Sequence, residues 1–124
     1  VLAPIYDNGN CFYNKADDEK IKSIMSNEER LLSSALNGIT AYEDNDEKRI
    51  TAKEMINLNN KDLKDAIKRI ISKISVHIDE IKALIDNIPE SYKGIPIISK
   101  IKKEYYFKTI QLRLAYLSTC KNAK

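Results

Sequence analysis

At 124 residues the chain fits one domain of ordinary size and is too short for two of typical dimensions. With 43% apolar and 31% charged residues it is foldable and not disordered, and three Gly with three Pro are too few turn formers for an all-β protein. The net charge of +3 is spread without a block of like sign, and Arg30, Arg49, Arg69 and Arg113 are the only bidentate forks, which argues against a nucleic-acid partner.

Residues 1–14, VLAPIYDNGNCFYN, differ from the rest in being apolar and aromatic with almost no charge. Pro4 biases its predecessor away from helix and Asn8-Gly9 favours positive φ, so this segment reads as extended chain with a turn at Asp7. We place the extended leader at 1–16 and an all-α helical part at 17–124. The first residue is Val1 and not Met, which suggests that residues were removed or that the chain is part of something longer.

Asp17, Asp18 and Glu19 suit a helix N-terminus ahead of Ile21, Ile24 and Met25. Ser26 and Glu29 have the spacing of a capping box before Leu31, Leu32, Ala35 and Leu36, and Gly38 is placed to end that helix in the left-handed conformation. The polar stretch from Tyr42 to Arg49 reads as a surface loop, after which Thr51 and Glu54 form a second capping box for a short helix to about Leu58.

Leu63, Ile67, Ile70, Ile74, Ile78, Ile81, Ile85 and Ile88 step by three or four throughout, which predicts one long or once-kinked helix capped by Asn59 or Asp62. Asp65 and Arg69 have the spacing of an ion pair on its solvated side. Pro89 and Gly94 mark a turn, and Pro96 suits the first turn of a last helix to about Cys120. That helix is apolar on more than one side, Ile98, Ile101, Tyr105, Leu112 and Tyr116 forming one stripe with Phe107 and Leu114 opposite. It should therefore be packed on two sides or meet sequence outside the chain.

The residues able to do chemistry are few. His77 is the sole histidine, so no Ser–His or Cys–His pair can be built elsewhere, and a packing or surface role is expected for it. Glu43, Asp44, Asp46 and Glu47 lack the order of a calcium loop and read as a solvated acidic turn. Tyr105, Tyr106 and Tyr116 have the spacing of core aromatics with polar tips. Cys11 and Cys120 have no metal-ligand spacing and read as reduced thiols of a cytoplasmic protein, and no run of the sequence has the length of a membrane span. Asp7 stands apart, because a carboxylate closing an apolar run is costly to bury without a partner such as Mg²⁺ and its phosphates. The same spacing also fits an Asx-turn in which Asp7 only accepts backbone N–H groups.

Leu2-Ala3-Pro4-Ile5-Tyr6-Asp7-Asn8-Gly9-Asn10 resembles the segment that carries the metal-binding Asp of HipA-like kinases, the bacterial toxin kinases, in which a helical C-terminal lobe follows. The chain has Asn8-Gly9 where the protein-kinase word has Phe-Gly. The resemblance implies that Asp7 holds Mg²⁺ bridging the β- and γ-phosphates of ATP, and that the parent protein phosphorylates Ser or Thr. It also implies as partners the rest of the kinase chain and an antitoxin or protein substrate. The glycine-rich loop, the strand lysine and the catalytic-loop Asp are not in the sequence, so the 124-residue chain by itself is expected to be inactive and to bind neither Mg²⁺ nor ATP tightly. The alternative from another class is a free-standing helical interaction module, antitoxin-like or an adaptor, using the two-sided last helix.

Overall fold

A computed structural model describes residues 11–13, 15–43 and 46–124. It is all-α apart from two small hairpins, as the periodicity predicts.

Helix α1 (Asp18–Met25) begins where Asp17 is extended and its carboxylate accepts the Lys20 N–H at 2.8 Å. The predicted Ser26–Glu29 capping box does not form. Helix α1 persists to Met25, so Ser26 becomes its C-cap with helical dihedrals, whereas an N-cap must be extended. Asn27 (φ −131°, ψ 116°) meets that need, and its side-chain oxygen accepts the Arg30 N–H to open α2 (Glu28–Leu36). Gly38 does not close α2 in the left-handed region either. Asn37 is the C-cap at φ −94° and ψ 31°, and the Gly38 carbonyl instead accepts the Ala52 N–H at 2.9 Å, leading the chain into a hairpin.

That hairpin corrects the loop expected from Tyr42 to Arg49. Strand β1 (Ile39–Glu43) pairs antiparallel with β2 (Arg49–Thr51), with Ile39 opposite Thr51 and Glu43 opposite Arg49. Ile39 and Tyr42 are both largely exposed, so no buried face imposes the strict alternation by which a strand is recognised. The Thr51–Glu54 capping box does form, each residue's side chain accepting the other's backbone N–H, at 3.2 and 2.7 Å, and it starts α3 (Ala52–Ile56).

The isoleucine stripe is two helices, α4 (Lys61–Val76) and α5 (Ile78–Asp86), joined at His77 (φ −106°, ψ 15°), the once-kinked form of the prediction. Asn60, not Asn59 or Asp62, caps it, because Asn60 is the extended residue next to the first helical one and its side chain reaches the Leu63 N–H at 2.9 Å. The i,i+4 ion pair on these helices is Lys82–Asp86 and not Asp65–Arg69.

Pro96 does not open the last helix. Strands β3 (Ser91–Tyr92) and β4 (Ile95–Pro96) make a second hairpin around Lys93 (φ 49°) and Gly94 (φ 78°), with Pro96 in a two-stranded edge where a missing N–H is tolerated. Ser99 caps α6 (Lys100–Thr119), which contacts α1, α2, α4 and α5, so it is packed on more than one side as expected. Its Tyr105, 0% exposed, meets Ile21, also 0% exposed, with Ile24 and Leu31 in the main core. Each such side chain contributes roughly 1.5–3 kcal/mol by leaving water. A 3-10 turn (Lys121–Ala123) then folds back on α3, Asn122 donating to the carbonyls of Ile56 at 2.7 Å and Leu58 at 2.8 Å. No helix is long and apolar enough to cross a membrane, among the described residues.

Candidate functional site

Asp7, the residue singled out for Mg²⁺, lies outside the described residues, as does Asp44 of the acidic turn. What the structure shows is how the end of the leader is fastened to the helices. Tyr13 adopts the left-handed region (φ 51°), and its carbonyl accepts the Ala16 N–H at 2.9 Å, turning the chain toward the Asp17 cap of α1.

Just before this turn, Arg113 of α6 holds the chain. Its Nη2 donates to the Cys11 carbonyl at 2.9 Å, its Nε donates to the Ala35 carbonyl at 2.9 Å, and its guanidinium lies 5.3 Å from the centre of the Phe12 ring. Ala35 is in the last turn of α2, where carbonyls have no intrahelical partner and a cation is favourable. One rigid fork therefore completes a helix terminus and fixes the leader, which a lysine's single ammonium could not do in the same geometry.

Phe12 also packs on Tyr106, with ring centres 5.1 Å apart, and Tyr106 meets Tyr105 edge-on at 6.4 Å. Burial, and secondarily the neighbouring Tyr105, hold the Tyr106 phenol above its ordinary value of 10.0. The Tyr105 hydroxyl donates to Ser34 Oγ at 3.1 Å, so the aromatic pair links leader, α2 and core. Ser99 Oγ donates to Asp18 at 2.7 Å, tying the start of α6 to the start of α1.

Sequence reading placed Tyr105 and Tyr106 in the packing but missed Arg113 and Phe12. The available signal was an arginine between Leu112 and Leu114 on a helix apolar on several sides, where a charge requires partners. Tyr116 is half-buried and lines a small apolar cleft of about 170 Å³ with Leu36, Ala52, Ile56 and Leu117, Lys53 lying 5.8 Å from its ring centre. His77 is exposed and faces Glu80 at 3.1 Å. Glu43, Asp46 and Glu47 are exposed, and no group of three metal-ligating side chains occurs among the described residues. Cys11 is exposed while Cys120 is buried at the end of α6, and no disulfide joins them. The described geometry is thus suited to positioning the leader.

No protein-family profile matches this chain. It is 34% identical over 106 residues to the serine/threonine-protein kinase CtkA of Helicobacter pylori, an alignment covering 84% of this chain and 30% of that protein. The chain is similar to part of a kinase. The crystal structure of a Helicobacter pylori proinflammatory kinase CtkA superposes with a TM-score of 0.76 at 28% identity, over 96% of this chain and 41% of that one. The chain spans about a third of the length of the curated relative it matches. The helical architecture is therefore similar to that of a segment of CtkA.

Proposed function

We propose that this chain is the C-terminal helical part of a HipA-like serine/threonine protein kinase, whose parent transfers phosphate from ATP to a protein Ser or Thr in the cytoplasm. The observation that carries this reading is the 34% identity with CtkA, which extends through 84% of the chain and so through most of its helices. The leader is the part assigned to chemistry. Asp7 would supply one carboxylate to Mg²⁺, an ion bound by one or two carboxylates with phosphates and waters completing its octahedron. Bound there, Mg²⁺·ATP supplies the transferable phosphoryl group.

This chain's own contribution is to hold the leader in place. Arg113 and Tyr106 clasp Cys11 and Phe12, a few residues beyond Asp7, and phosphoryl transfer depends almost wholly on positioning and charge. The remaining kinase parts belong to the rest of the parent chain, the first partner of this segment. A protein substrate, and an antitoxin where one exists, are the others.

The experiment is Asp7→Asn in the intact parent, with ATP-dependent phosphorylation and melting temperature measured on the same sample. Activity should collapse while the melting temperature barely moves, because asparagine keeps the turn-forming geometry and loses the charge. Turnover like that of the unaltered protein would remove Asp7 from the site, and a shift confined to stability would make it an Asx-turn residue.

A further inference from the structure

Between α1 and α2 lies a cleft of about 300 Å³, at the small end of the roughly 300–1,000 Å³ seen for ligand pockets, lined by Tyr13, Lys20, Ser23, Arg30, Ser33 and Ser34. No carboxylate among the described residues lines it. Among the described residues neither Lys20 nor Arg30 is in an ion pair, whereas nearby Lys22 is paired with Glu19 at 3.2 Å. Arg30 is instead held by a neutral group, its Nη1 donating to Ser23 Oγ at 3.0 Å across the two helices.

The hydroxyls divide by what they have left to give. Ser34 Oγ accepts from Tyr105 and donates its proton to the Leu31 carbonyl, so it has no donor to spare. Ser23 Oγ accepts from Arg30, and Ser33 Oγ accepts from Asn37 Nδ2 at 2.9 Å. Each of these keeps its proton for something else. Among the described residues the cleft therefore combines two positive charges with two available hydroxyl donors and no competing acceptor charge, which is the complement of a tetrahedral dianion with three terminal oxygens.

We propose that this cleft binds the dianion of phosphate or of a phosphate monoester, with Arg30 and Lys20 supplying charge and Ser23 and Ser33 donating hydrogen bonds. The proposal rests neither on Asp7 nor on the kinase reading.

The test is calorimetric titration of the 124-residue chain with inorganic phosphate, with a phosphoserine peptide of neutral flanks, and with the same peptide unphosphorylated. Phosphate or the phosphopeptide should saturate one site, and the bare peptide should not bind. Tighter binding of the phosphopeptide assigns the site to a phosphorylated protein segment, and tighter binding of inorganic phosphate assigns it to the free ion. The double variant Lys20→Gln, Arg30→Gln changes only exposed side chains, and it should weaken binding by about tenfold or more. Lys22→Gln, outside the cleft, should leave affinity unchanged. Absence of saturable binding by either phosphate probe overturns the proposal, as does an equal loss in Lys22→Gln, which would reveal diffuse attraction by surface charge.

Discussion

Arg113 reaches the backbone carbonyl of Cys11 across 102 positions of sequence, at 2.9 Å. This bond fastens the leader to the helices, and the same guanidinium completes the end of α2 through Ala35. Arg113→Ala leaves both carbonyls without it and should cost about 2 kcal/mol of unfolding free energy by denaturant titration. Arg113→Lys keeps the charge but not the fork. It should cost less and still speed amide hydrogen exchange across residues 11–16, and unchanged exchange there would show that the leader is held by Phe12 and Tyr106 alone.

Thr109 gives a prediction of opposite sign. It lies in α6 at 0% exposure, and its hydroxyl has no hydrogen-bond partner among the described residues. Burying a hydroxyl unpaired is unfavourable, so Thr109→Val, which replaces it with a methyl of similar shape, should raise stability by about 1 kcal/mol. A lower melting temperature in the variant would mean that the hydroxyl is partnered in solution.

The Tyr106 phenol predicts an alkaline limit. Its value in the folded chain lies above the 10.0 of the free group, so the neutral form is the one the fold favours. The associated stability is fully present below pH 10.0 and is lost as pH rises through the raised value. Stability measured from pH 9 upward should fall less steeply in Tyr106→Phe than in the unaltered chain, and identical slopes would exclude Tyr106 as a contributor.

At the other end, one amide of Asn122 donates to the carbonyls of Ile56 and Leu58, the second of which also accepts the Asn60 N–H at 2.9 Å. Asn122→Ala should destabilise the chain by about 1–3 kcal/mol and preferentially raise hydrogen exchange in α3. Uniform exchange across all helices would mean that the turn has no local role.

Legibility of the fold from sequence followed the range of the interactions. The Thr51–Glu54 box and the α4–α5 stripe are local, so spacing reveals them. Ser26 and Asn27 are both able to cap α2, and the choice depends on where α1 stops, which spacing does not report. The two hairpins escaped because their side chains are mostly exposed, and Pro96 imitated a helix start. Arg113 escaped for a different reason: its partners stand 78 and 102 positions away, and nothing near it in sequence announces them. The motif around Asp7 was legible as a resemblance, and its residues lie outside those described.

The placement of α6 at the centre governs the order in which the protein can be finished. Ile21, Ile24 and Leu31 leave the ribosome well before Tyr105, the side chain that covers them. Ser99 meets Asp18 over 81 positions, and Asn122 meets Ile56 over 66. Helices α1 and α2 must therefore wait, with their apolar faces uncovered, until α6 has been synthesised. A ribosome stalled before α6 would hold a segment unable to bury its own core, a natural client for a chaperone.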